Sequence, residues 1–154
     1  MHPDAMSLMR YFVNKYVREP STVVDIGSRD INGTYRSLFP HCEYEGIDLK
    51  DGPNVDRVVG PYYYGDKQYD VVISGNTMEH VFDLHTWAKE VIRVCKPGGF
   101  ICIVVPNMRA EHRFPVDCWR VFPDGMRWLF RELDIVECRI HNRDTILIAR
   151  KNAS

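Results

Sequence analysis

The chain has 154 residues, 45% of them hydrophobic and 27% charged, with a formal net charge of -1; this is the balance of a soluble globular protein, and the length suits one domain, 1–154, with a sizeable core. Near-neutral charge gives no global electrostatic case for nucleic acid or an anionic membrane, and no apolar run approaches the ~18 residues that a bilayer span needs. MHPDAMSLMR lacks the charged-then-apolar order of a signal peptide, and the five cysteines (42, 95, 102, 118 and 138) form no C-x-x-C pair, so a cytoplasmic protein with reduced, structural thiols and no metal is expected.

Met6, Met9, Phe12, Val13 and Tyr16 recur at helical spacing, so an amphipathic helix is expected over Asp4–Val17, ended by Pro20 and Ser21. Val23–Gly33 (VVDIGSRDING) follows and reads as a buried strand that turns sharply and opens a helix. Val23, Val24 and Ile26 suit a strand covered on both faces, and Gly27 permits the turn. Thr34–Phe39 is a short expected helix stopped by Pro40, and Tyr44–Leu49 is a second strand carrying Asp48 near its end. Lys50–Asn54 is a turn by composition, Val55–Val59 a short third strand, and Gly60–Gln68 a loop.

Tyr69–Ser74 has the β-branched composition of a sheet centre, and Leu84–Cys95 places Leu84, Trp87, Ala88, Val91, Ile92 and Cys95 along one helical face. Lys96-Pro97-Gly98-Gly99 reads as a glycine cap and tight turn before a fifth strand, Phe100–Val105. Asn107–Val121 is the longest irregular segment, and Pro123 opens a helix to about Arg131. Asp134–Ile140 and Thr145–Arg150 alternate around His141-Asn142-Arg143-Asp144 as a hairpin does. The sum is an α/β three-layer sandwich of about seven strands, mostly parallel, with helices on both faces and a C-terminal antiparallel hairpin.

A glycine turn after one strand and a carboxylate ending the next is how a doubly wound fold holds a nucleoside cofactor: amides at the turn face polar groups, and the acid takes ribose hydroxyls. With these features in order, the chain resembles the class I S-adenosylmethionine-dependent methyltransferases over nearly its whole length. VVDIGSRDING resembles that family's first motif, EYEGIDLK its second strand with the ribose-binding acid, YDVVISGNTMEHV its fourth-strand motif, and VCKPGGFICIVVP its helix, glycine turn and fifth strand. The family's first motif is usually richer in glycine; here Ser28-Arg29-Asp30-Ile31-Asn32 separates Gly27 from Gly33.

The resemblance implies a Rossmann-like fold and transfer of the S-adenosylmethionine methyl group by direct displacement, releasing S-adenosylhomocysteine. It implies that Asp25 orients the methionine ammonium and that Gly27 and Gly33 let the backbone approach the methionyl part. Ser28 gives an amide or hydroxyl, Asp48 accepts both ribose hydroxyls, and Leu49 packs on adenine. Gly60, Pro61 and Tyr62 border that ring, while Ser74, Gly75 and Asn76 face the methionine portion and the methyl group.

His80, after Glu79, reads either as a base taking a proton from an acceptor hydroxyl or as a residue shaping the pocket. His112 carries the same base reading. His112, Asp117, Trp119 and Arg120 lie after the fifth strand, at the carboxyl edge of the sheet. They read either as an acceptor site or as an ordered loop pinned by an Asp–Arg pair and a buried tryptophan. Tyr62-Tyr63-Tyr64 looks exposed, with an adenine lid slightly favoured; Trp87 and Trp128 are expected in the core, and Lys89, Arg93 and Arg131 on solvated helix faces. No Asn-Pro-Pro-Tyr-type motif follows the fourth strand, so a small-molecule or carrier/glycan-bound acceptor is expected rather than nucleic acid, with O-methylation preferred. Little chain remains for a substrate roof, so a partner subunit or homodimer stays open. Two other readings stand beside this one: a non-catalytic S-adenosylmethionine-binding module, and a nicotinamide-dependent oxidoreductase.

Overall fold

The computed structural model describes residues 3–153. Among these, seven strands form one sheet: β1 (Thr22–Ile26), β2 (Glu43–Asp48), β3 (Arg57–Val58), β4 (Tyr69–Gly75), β5 (Cys95–Pro106), β6 (Asp134–His141) and β7 (Asp144–Arg150). Their order is β3-β2-β1-β4-β5-β7-β6. The first five pair in parallel, and β7 runs antiparallel between β5 and β6. Strand order therefore reverses between β1 and β4, where an open α/β sheet leaves a crevice at the carboxyl ends of its strands.

The period-two alternation of the buried strands distributes apolar side chains to both faces. Val23, Val71, Ile73, Cys102, Val104, Ile146 and Ile148 face helix α1 (Pro3–Tyr16), whose Ala5, Leu8, Met9 and Phe12 are buried against them. Val24, Val72, Ile101, Ile103, Leu147 and Ala149 face the other way, under Trp87, Ala88 and Val91 of α2 (Leu84–Arg93) and Met126 of α3 (Pro123–Leu129). α1 is further fixed by Glu137 of β6, which accepts hydrogen bonds from the Tyr11 and Tyr16 hydroxyls and lies 3.5 Å from Lys15 Nζ. No helix among the described residues is long and apolar enough to cross a membrane, and the five cysteines are free.

Five local expectations are corrected. The helix foreseen over Thr34–Phe39 is only a single 3-10 turn, Arg36–Leu38. Asp30 Oδ1 accepts from Gly33 N at 2.7 Å, and a side chain that satisfies the backbone locally competes with helix formation. Lys96-Pro97-Gly98-Gly99 is not a separate turn: α2 ends at Arg93, and Cys95 already pairs with Tyr69. Gly98 (φ +83) and Gly99 then exchange hydrogen bonds with Lys151, and a Cβ on Gly99 would lie 2.6 Å from Asp70 O. Trp128 is 65% exposed with Arg131 stacked 4.1 Å from its ring centroid, while Trp87 is core as expected. Tyr64 is buried, and Arg93 is held by Glu90 at 2.6 Å rather than simply solvated.

Candidate functional site

The crevice begins where β1 ends. Gly27 N and Ser28 N both donate to Ile47 O of β2, at 2.9 and 3.0 Å, so the loop after β1 folds across the carboxyl end of β2. Gly27 has φ +78, and a Cβ there would sit 2.0 Å from Thr77 Oγ1. Glycine is thus required by backbone conformation and by the threonine packed over it, a contact that sequence reasoning missed. Ser28 is buried, and its hydroxyl donates to Asn54 O. Gly33 lies exposed farther along, with φ +121.

Asp25 is buried beneath this loop on the α1 face and accepts a hydrogen bond from the Tyr44 hydroxyl. Burial pushes its carboxyl up to about 7, against the lowering effect of that bond. Tyr35 lies on the same side; its hydroxyl is buried without a hydrogen-bond partner, at the spot a Cβ on Gly75 would fill. Burial, and next the nearby Asp25, hold that phenol far above its ordinary range.

Asp48 ends β2 half-buried, accepting from Arg29 N at 3.0 Å on one oxygen and from Leu49 N at 2.7 Å and Lys50 N at 3.4 Å on the other. A carboxylate offers about four lone-pair sites, so Oδ2 has room for one hydroxyl, and a second would compete with the long Lys50 bond on Oδ1. Leu49 beside it is 57% exposed, an apolar surface suited to a planar ring. Gly60 and Pro61 are exposed and open, with nothing within 4 Å of a Cβ on Gly60; the half-buried Tyr62 accepts from Asp83 N through its hydroxyl. These residues fit an adenosine moiety. On the β4 side, Ser74 Oγ donates to Ile26 O, Gly75 makes room for Tyr35, and Asn76 adopts φ +54 at the strand end.

Beyond Asn76 a 3-10 turn, Met78–His80, carries Glu79 and His80 under the loop 107–121. Glu79 O accepts from Cys118 N and Trp119 N, at 2.7 and 3.2 Å. The Glu79 carboxylate is fully buried; its Oε2 lies 3.1 Å from His112 Nε2 and 3.7 Å from His80 Nε2. The hydrogen bond to Glu79, then those to Ala110 O and the charge of Asp117, raise the His112 imidazole against the effect of burial.

For the loop, the pinned reading describes what is seen. Asp117, its side chain 2% exposed, takes both Arg120 end nitrogens at 2.7 and 2.8 Å and the His112 amide at 2.7 Å. The Arg120 guanidinium holds the Asp117 carboxyl well below the usual range. All five N–H donors of Arg120 are spent within the chain, on Asp117, Arg109 O, Ala110 O and Trp119 O. Trp119 is not buried: it is 44% exposed, donating from Nε1 to Val81 O. The face offered outward is a hollow of about 300 Å³ lined by Arg109, Glu111, Asp117, Cys118, Trp119 and Arg120.

The fold and part of the sequence have counterparts among known proteins. Residues 42–103 match the family described as "Methyltransferase domain". A 56-residue stretch is 36% identical to 2-methyl-6-phytyl-1,4-hydroquinone methyltransferase of Synechocystis sp. (strain ATCC 27184 / PCC 6803 / Kazusa), covering 36% of this chain and 18% of the relative. Among solved structures, the 1,6-didemethyltoxoflavin-N1-methyltransferase of Burkholderia thailandensis, with 1,6-didemethyltoxoflavin and S-adenosylhomocysteine bound, is similar at a TM-score of 0.76 and 18% identity, over 96% of this chain and 78% of that one. A S-adenosylmethionine-dependent methyltransferase from Methanosarcina mazei is similar at 0.74 and 14% identity, over 100% and 99%.

Proposed function

We propose that this chain, whose residues 42–103 match a methyltransferase-domain family, is a class I S-adenosylmethionine-dependent methyltransferase, and that it methylates a small-molecule or carrier- or glycan-bound acceptor, on oxygen by preference. The observation that carries the reading is the position of Asp48, half-buried at the carboxyl end of β2 beside the Gly27 turn, next to the reversal of strand order. Bound in this crevice, S-adenosylmethionine supplies an electrophilic methyl group on a sulfonium centre.

In this reading the Asp48 carboxylate takes the ribose hydroxyls, Leu49 covers one face of adenine, and Gly60, Pro61 and Tyr62 border its edge. Ser28, Gly27 and Gly33 shape the backbone around the methionyl portion. Asp25 sets the field beneath it, and a carboxyl poised near neutrality deprotonates readily when a cation approaches. Ser74 and Gly75 hold the floor, leaving Asn76 at the methyl end. The contribution to rate is placement: two reactants held in line gain several kcal/mol in the manner of ~10⁵ M or greater effective molarity. Asp117 and Arg120 act here as the frame of the acceptor wall, with Trp119 presenting an aromatic face outward.

Calorimetric titration with S-adenosylmethionine and S-adenosylhomocysteine tests the reading, with Asp48→Ala as control. Micromolar-range binding that the substitution abolishes is the expected outcome. Heat signals unchanged by the substitution, or none with the folded wild-type chain, would overturn it.

A further inference from the structure

Glu79, His80 and His112 bring one carboxylate oxygen and two imidazole nitrogens within 4.8 Å of one another. The two rings are near perpendicular, 83° apart, with centroids 5.0 Å apart. Hydrogen bonding at the far side of each ring sets the character of the near side. His80 Nδ1 faces Val116 O, and His112 Nδ1 lies 3.2 Å from Ala110 O. A carbonyl oxygen only accepts, so each Nδ1 carries a proton, which leaves each Nε2 as the ring atom turned inward and available to a metal ion. Glu79 Oε2 is a third acceptor aimed at the same point.

Such a cluster is held together by something positive at its centre: a proton on His112 Nε2 bonded to Glu79 Oε2, or a metal ion in that proton's place. Glu79 makes the demand sharper. Its carboxylate is fully buried, and Oε1 has no hydrogen-bond partner, so it holds charge or a proton at the cost of desolvation unless a cation compensates. Backbone carbonyls on Nδ1 are also the outer-shell arrangement that fixes a metal-ligating histidine in the right tautomer. For ligands about 2.0–2.2 Å from a metal ion, separations between them fall near 3.0–3.5 Å. The 3.1 and 3.7 Å seen from Glu79 Oε2 to the two Nε2 atoms lie close to that range.

We propose that Glu79, His80 and His112 form a two-histidine, one-carboxylate site for a divalent transition-metal ion, with open coordination positions on the side facing the crevice. Imidazole with carboxylate suits Zn²⁺, Co²⁺, Fe²⁺ or Mn²⁺ better than Mg²⁺. Access is available, since the His112 side chain is 35% and the His80 side chain 17% exposed. Glu79 and His80 come from the turn just after Asn76, and His112 from the loop folded over it, so the ion would stand at the methyl end of the crevice. An acceptor presenting oxygen donors, such as a pair of neighbouring hydroxyls, could complete its coordination. That last step rests on the methyltransferase reading; the metal site itself does not.

The test is titration of the full chain, freed of metal by a chelator, with Co²⁺ followed by visible d–d absorption and by competition with Zn²⁺. A single saturable Co²⁺ per chain is expected, displaced by Zn²⁺, with affinity at least about 10-fold weaker in His112→Ala and in Glu79→Gln. Circular dichroism checks that each variant folds. If Glu79→Gln does not, His112→Ala in its half-exposed loop carries the comparison. Absence of the Co²⁺ spectrum, or equal affinity in the variants, overturns the proposal and leaves a protonated His112–Glu79 pair in its place. S-adenosylmethionine titrated into metal-free wild type and His112→Ala separates the two readings: its binding stands or falls with Asp48, whatever the Co²⁺ result.

Discussion

Thr77 Oγ1 stands 2.0 Å from the point where a Cβ on Gly27 would project, so the fourth strand's exit closes over the first strand's turn. Gly27→Ala therefore meets two costs: a left-handed φ of +78, worth about 1–2 kcal/mol for a side chain, and displacement of Thr77. Urea unfolding should show a loss of about 2–4 kcal/mol. Gly27→Ala with Thr77→Gly should recover the steric part only. Equal losses in the single and double variants would mean that Thr77 is not the obstacle.

The buried Asp25 carboxyl titrates near 7 in the folded chain and near 4 when unfolded. The folded state thus holds the extra proton between these values, so this group costs stability progressively as pH rises from about 4 to about 7, and the full cost stands above 7. Asp25→Asn should flatten the fall in thermal stability across that window. An unchanged pH profile in the variant would show that Asp25 is not the group responsible.

Arg120 spends every donor on the loop it belongs to, and Asp117 is 2% exposed beneath it. Arg120→Ala leaves the Asp117 carboxylate without the guanidinium that holds its pKa down. A loss of about 1–3 kcal/mol is expected, from the charge-assisted bonds removed. It should be accompanied by faster amide exchange at Cys118 and Trp119, whose N–H groups rest on Glu79 O. Arg120→Lys should recover little, because an ammonium cannot reproduce the two-pronged contact. Protection unchanged in Arg120→Ala would argue against the pinned loop.

Glu137 holds α1 to β6 through two tyrosine hydroxyls and Lys15. Glu137→Ala should cost about 1–3 kcal/mol and open α1 to exchange before the sheet. Exchange rising uniformly over the molecule would show that α1 does not come away on its own.

The sheet was readable from the chain because its strands are runs of Val and Ile too short for helices and bounded by glycine, proline and asparagine. Asp48 was legible for a similar reason: an acid at the end of a strand is a local pattern. The loop after β1 was not, since its course depends on Asp30 capping Gly33 and on Ser28 reaching Asn54, contacts with no periodic signature. The closeness of His112 to Glu79 was hidden for a stronger reason. They are 33 residues apart and meet only because the segment after β5 folds back over the exit of β4. Trp128 deceived because a large aromatic at helical spacing looks like core, whereas α3 is short and turns that position outward, beneath Arg131.

The seat of α1 has a bearing on how the chain reaches this form. Met9 and Phe12 rest on Ile146 and Ile148, and Asp4 meets Arg109, which also binds Asp144. The segment that leaves the ribosome early thus waits for one made late, and β5 lacks one neighbour until β7 arrives. Long-range pairing of this kind slows folding and leaves apolar surface uncovered meanwhile. Nascent chains ending before Asp144 should remain open to protease, and those carrying β7 should become resistant in a single step.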